Sequence, residues 1–131
     1  DRPKYSASRD PALAPLIQIF QLDKIVFEQL RRVVGELGGA VSHAAVFGSL
    51  AAGTDSPQSD IDVLLITRLS RVQAQSAFKT LSREIGRFID VQAFSSKEWE
   101  SAVKAGEPFA NSILSQPVVT LKGNLYGAEK A

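Results

Sequence analysis

The chain has 131 residues, 44% of them hydrophobic, and contains no cysteine. That length suits one domain around a single core. The absence of cysteine excludes a disulfide framework, a thiolate nucleophile and Cys-ligated zinc, as is usual for a cytoplasmic protein. Fifteen basic and fourteen acidic side chains leave a formal charge of +1, so no summed field points to a nucleic acid or a membrane surface, and no apolar run reaches the ~20 residues of a membrane span.

The chain starts at Asp1 and lacks methionine, so a missing upstream segment is expected. Residues 1–12 read as a polar linker or tail. A short helix is expected near Pro15, carrying Leu16, Ile17 and Phe20, because proline is tolerated in a first helical turn. Asp23 is placed to cap a second, longer helix in which Val26, Leu30, Val33, Val34 and Leu37 recur at three- and four-residue steps until Gly38-Gly39. His43 to Phe47 follows as a buried strand ending on Gly48-Ser49. Leu50 to Ser59 reads as a loop that opens with at most one helical turn.

Ile61 to Thr67 is densely aliphatic and predicts a strand buried on both faces. Ser70 caps a long helix bearing Ala74, Ala77, Phe78, Leu81 and Ile85, stopped at Gly86. Phe88 to Phe94 is the third strand. Ser95 and Glu98 have capping-box spacing ahead of a helix with Trp99 and Val103, stopped at Gly106. Phe109 to Leu114 forms one more helix, and Val118 to Leu121 a last strand. This order predicts an α+β domain, a small mixed sheet with helices packed on one face. It should span 13–124, with a tail at 125–131.

Chemistry concentrates around the second strand. Side chains alternate along a strand, so Asp60 and Asp62 share a face while Ile61 and Val63 point the other way. Two carboxylates held roughly 5 to 7 Å apart repel unless exposed, protonated or neutralised by cations, and hard divalent ions take oxygen ligands of this kind together with substrate phosphates. The Gly48-Ser49 turn supplies the complementary feature, backbone amides that can approach a phosphate closely and a hydroxyl that can donate to it. If the third strand pairs beside the second, Asp90 adds a third carboxylate, either a ligand for a second metal or an acceptor for the proton of an attacking hydroxyl. His43, the single histidine, is better explained as a polar residue at a strand start, Trp99 as packing, and Arg31-Arg32 as a solvated helix face.

The run Val46-Phe-Gly-Ser-Leu-Ala-Ala-Gly-Thr-Asp-Ser-Pro-Gln-Ser-Asp-Ile-Asp-Val-Leu-Leu-Ile66 resembles the signature of the DNA polymerase β-like nucleotidyltransferase superfamily: a Gly-Ser turn, a loop of about ten residues, then an Asp-x-Asp strand. Within it the chain is most similar to the stand-alone minimal nucleotidyltransferases of bacteria and archaea. The resemblance implies the nucleotidyltransferase fold, with Asp60, Asp62 and Asp90 as catalytic metal ligands for two Mg2+ or Mn2+ ions. It also implies that Gly48, Ser49 and Ser59 contact a nucleoside triphosphate, ATP first among them.

The implied reaction moves a nucleoside monophosphate to an acceptor hydroxyl on a small molecule, an RNA end or a protein. A domain this small has little surface for selecting the acceptor, so a partner protein or a second copy of the chain is expected. In some minimal members of the superfamily that partner is a HEPN-class toxin and the transferase is its antitoxin. The chain departs from the common Gly-Ser-x-Ala-Arg-Gly pattern at Ala52, where an arginine is usual; Arg68, Lys79, Arg83 and Arg87 are the candidates to supply the missing charge. Lys4 to Pro11, followed by Leu16 and Phe20, also resembles the connector between a winged-helix domain and a nucleotidyltransferase domain in some prokaryotic regulators. That likeness implies the alternative, a nucleotide-binding sensor that does not catalyse, with nucleic acid contacted only through the upstream domain and no membrane partner.

Overall fold

The computed structural model describes residues 14–54, 56 and 58–123. The tails expected at 1–12 and 125–131 lie outside them. In chain order the elements are α1 (Ala14–Leu37), β1 (Val41–Phe47), α2 (Gly48–Ala52), β2 (Ile61–Thr67), α3 (Arg71–Ala77), α4 (Lys79–Ile85), β3 (Ile89–Phe94), α5 (Ser96–Lys104), α6 (Pro108–Ser115) and β4 (Val119–Lys122). A short 3-10 turn at Gly38–Ala40 links α1 to β1.

Where two helices were expected before β1, one continuous helix forms. Nothing between Pro15 and Gly35 removes a backbone donor, so the i to i−4 ladder runs through Asp23, which lies inside the helix instead of capping it. The helix that starts after Ser70 is capped as expected. The Ser70 hydroxyl accepts from the Gln73 amide and the Gln73 side chain accepts from the Ser70 amide. Its axis breaks at Phe78, whose backbone (φ −102°, ψ 4°) leaves the helical region as the ring becomes fully buried. The Ser95 and Glu98 box forms at the start of α5.

The four strands lie in the order β3-β2-β1-β4. β1 pairs antiparallel with β2 and β4, while β2 and β3 are parallel. Parallel neighbours need a crossover, and α3 and α4 provide it. The mixed sheet with its layered helices matches the expected class, but the helices divide between both faces. On one face Leu30, Val34, Leu50, Ala74 and Leu81 pack with Val46, Ile61, Val63, Leu65 and Val91. On the other, Trp99, Ala102, Ala110 and Ile113 cover Ala45, Leu64 and Ile66. The reason is in β2 itself, where both sets of alternating side chains are aliphatic and each needs a cover.

The second face is bound together by rings. Phe94 meets Trp99 edge-on with centroids 5.5 Å apart, and Phe109 stacks on Phe94 at 5.7 Å and meets Phe47 edge-on at 5.6 Å. Trp99 is therefore a packing residue, fully buried, and its indole N–H has no acceptor among the described residues. Arg31 does more than face solvent: its guanidinium donates to the Thr120 carbonyl at 3.1 Å, joining α1 to β4.

His43 sits on β1 with Nδ1 2.8 Å from the Ser42 hydroxyl. Burial, and then the charge of Lys122, hold its pKa below the usual histidine value. The folded state thus binds this proton less readily than the unfolded chain, so the stability His43 contributes is present at neutral pH and lost as pH falls through the lowered value. Melting temperature should drop as pH falls below about 6.5, the ordinary histidine value, and His43→Gln should flatten that part of the profile.

Candidate functional site

The carboxylates are brought together by strand register. Asp62 is the Cα partner of Asp90 across the parallel β2 and β3 pair, and of Phe47 across the antiparallel β1 and β2 pair. Ile61, Val63, Ile89 and Val91 belong to the first face, so Asp60, Asp62 and Asp90 share the second. The α5 and α6 layer buries Leu64 and Ile66 completely but leaves Asp62 and Asp90 half-buried and Asp60 exposed. The expected pairing of the third strand beside the second is observed, and with it the place of Asp90.

Negative charge accumulates here. The pKa of Asp62 is raised above the usual carboxylate value, first by burial, then by the charges of Asp90 and Asp60. Asp90 accepts one weak hydrogen bond, from the Gln92 amide at 3.5 Å. Among the described residues no three carboxylate or imidazole groups are already gathered closely enough to hold a metal ion unaided.

Gly48 stands at the junction of β1 and α2 with φ +75°, a left-handed conformation that costs a side-chain-bearing residue about 1–2 kcal/mol. A Cβ placed on it would collide with Asp62 Oδ2. The absence of a side chain at Gly48 is therefore what lets the Asp62 carboxylate lie against the turn. Leu50, 3% exposed, anchors α2 in the first core, and Ser49 is partly exposed beside Gly48. The Ser49 carbonyl accepts from the Thr54 amide at 2.9 Å, closing the α2 end.

Ser59 is placed differently from the rest. Its hydroxyl lies 3.0 Å from the Ser56 hydroxyl and accepts from the Ser56 amide at 3.1 Å, so it knits the loop together. Its carbonyl accepts from Arg87 Nε at 2.9 Å, and the Ile61 amide donates to the Phe88 carbonyl at 2.9 Å. These bonds hold the start of β3 against the residue preceding Asp60. Sequence reading missed Arg87 as a clamp on this loop and Phe47 as a neighbour of Asp62, since neither belongs to a motif and only the register reveals them.

Ala52 is exposed at the last residue of α2. Of the cations considered in its stead, Arg68 bonds the Gly39 carbonyl at 3.2 Å at the opposite end of β2, and Lys79 and Arg83 line a groove beside α3 and α4. Arg87 alone borders the carboxylate end. No helix among the described residues is long and apolar enough to cross a membrane.

In fold the chain is similar to the crystal structure of a toxin-antitoxin with AMP-PNP, with a TM-score of 0.55 at 16% identity over 79% of this chain and 78% of that one. It is also similar to a mutant of the toxin-antitoxin MntA-HpeT, with a TM-score of 0.52 at 16% identity over 79% and 76%. No curated protein matches it. Residues 27–109 match the family model described as nucleotidyltransferase domain, a stretch that begins in α1, contains every strand but β4 and ends in α6. With more than half of its length in that match, and the Gly48 turn, Asp62 and Asp90 all inside it, the chain belongs to the nucleotidyltransferase domain family.

Proposed function

We propose that the domain is a metal-dependent nucleotidyltransferase that moves a nucleoside monophosphate from a triphosphate, ATP first among them, to an acceptor hydroxyl. The observation that carries this reading is the convergence of Asp60, Asp62 and Asp90 on one face beside Gly48. Their hard oxygen donors suit Mg2+ or Mn2+, which characteristically use one or two protein carboxylates and complete their shell with water and phosphate. An incomplete protein cage is compatible with that habit, and the raised proton affinity of Asp62 marks charge that a cation would relieve.

Asp60, Asp62 and Asp90 would hold two such ions, and Asp90 would alternatively accept the proton of the acceptor hydroxyl. Bound there, the ions would neutralise phosphate charge and polarise the reacting phosphoryl group. The Gly48 and Ser49 amides and the Ser49 hydroxyl are assigned to the phosphates. Ser59 contributes through the loop that it holds. The AMP-PNP in one similar structure supports an adenine nucleotide, and the toxin-antitoxin character of both supports a protein acceptor and an antitoxin role.

Ala52, with Arg68, Lys79 and Arg83 directed elsewhere and Arg87 alone at the carboxylate end, leaves a second reading to be tested, a domain that binds nucleotide without turning it over. One pair of experiments separates them. Calorimetry with each triphosphate, with and without Mg2+, is expected to detect binding that requires the ion; binding to none under either condition would overturn both readings. Incubation with labelled ATP and candidate acceptors should then transfer label, whereas binding without transfer would leave the sensor.

A further inference from the structure

A groove lies on the opposite face of the sheet from the carboxylates. It is open, about 600 Å³ in volume, and bounded by α3, α4 and the outer edge of β3. Val72 and Phe88 line it, 76% and 55% exposed, together with the buried Val91. The rest of the lining includes Arg71, Lys79 and Arg83 and, among the described residues, contains no acidic one. Among the described residues none of these three cations is paired with a carboxylate; the Arg32 and Glu36 pair at 3.3 Å lies on α1.

The backbone edge beneath the groove is already occupied. The Gln75 side-chain amide donates to the Ile89 carbonyl at 2.6 Å, and its oxygen accepts from the Val91 amide at 3.0 Å. An added strand would find those two β3 groups taken, so a ligand at this point is held by side-chain chemistry. Exposed apolar side chains ringed by unpaired Arg and Lys have the composition of a protein interface, in which aromatic and arginine residues carry most of the binding. Single-stranded nucleic acid would use successive aromatic platforms, and Phe88 is the one ring among the described residues that line the groove.

We propose that this groove docks an acidic amphipathic segment of a partner polypeptide, with apolar side chains against Val72 and Phe88 and carboxylates facing Arg71, Lys79 and Arg83. Docking of this kind does not depend on nucleotide transfer, and Asp62→Asn should leave it unchanged.

The test is fluorescence anisotropy with a labelled helical peptide carrying leucines at i, i+4 and i+7 among glutamates, run beside labelled oligouridylate at the same ionic strength. The peptide should bind, and the Lys79→Glu, Arg83→Glu double variant and Phe88→Ala should each weaken it about tenfold or more. Lys104→Glu, on α5, should not. Val72→Ser provides a second variant on an exposed helix surface, and melting curves verify that each variant is folded. Oligouridylate binding in preference to the peptide, no peptide binding, or peptide affinity unchanged by the groove variants would each overturn the proposal.

Discussion

Asp62→Asn is expected to lower nucleotidyl transfer about a thousandfold and, at neutral pH, to raise the melting temperature of the metal-free domain. The loss follows from the proposed role: a divalent ion contributes several kcal/mol of charge stabilisation, and each 1.36 kcal/mol is about tenfold in rate. The gain follows from electrostatics. Burial and the charges of Asp90 and Asp60 raise the Asp62 pKa, so the folded state binds this proton more tightly than the unfolded chain does. Stability from that group is then present below the unfolded value and lost as pH rises through the folded one.

Asparagine keeps the shape and removes the charge at every pH. The variant should therefore melt a few degrees, about 3 °C, above the parent near pH 7, with the difference vanishing as Asp62 protonates in acid. Added Mg2+ should raise the melting temperature of the parent and leave the variant nearly unaffected. A variant that transfers label at the parent rate would move the reaction away from this carboxylate. One that melts below the parent at neutral pH would contradict the charge argument.

Gly48→Ala should be the most damaging single methyl group added in the site. It incurs the cost of a left-handed backbone, about 1–2 kcal/mol, and places a Cβ in collision with Asp62 Oδ2. Either the turn or the carboxylate must shift. We expect destabilisation of about 2 kcal/mol or more and loss of metal-dependent nucleotide binding. Gly53 supplies the comparison: its φ is +76°, and a Cβ there meets nothing within 4 Å. Gly53→Ala should carry the backbone cost alone and retain binding. Thermal melts and calorimetry on both variants separate strain from displacement of Asp62, and equal binding losses in the two would show that the collision is immaterial.

The sequence carries the strand boundaries well where chemistry changes abruptly. β2 is found at Ile61–Thr67 as expected, because an aliphatic run between a polar loop and Arg68 has one low-energy reading. The caps at Ser70 and Ser95 were legible for a similar reason, since a hydroxyl three residues before Gln73 or Glu98 satisfies local donors whatever the remainder of the fold does. Less local features were harder to read. The continuity of α1 through Asp23 depends on nothing interrupting the ladder, and a residue suited to capping does not by itself begin a helix.

Placing helices on both faces required knowing which of the elements cover Leu64 and Ile66, and those partners, Trp99 and Ile113, lie more than thirty residues away. Ser59 illustrates the same limit at the site. Its motif position suggested a phosphate contact, whereas its hydroxyl is engaged by Ser56 across the loop.

By itself the sequence determined the Gly48-Ser49 turn, the shared face of Asp60 and Asp62, and the family to which they point, because strand alternation and loop length are properties of neighbouring residues. Only the tertiary structure decided that Asp90 stands in register with Asp62, that the Asp62 carboxylate fills the space a side chain at Gly48 would need, and that Arg71, Lys79 and Arg83 gather at a groove on the other face. The first two of those juxtapositions join residues separated by a crossover or a loop, and strand pairing and core packing, rather than local preference, set the distance between them.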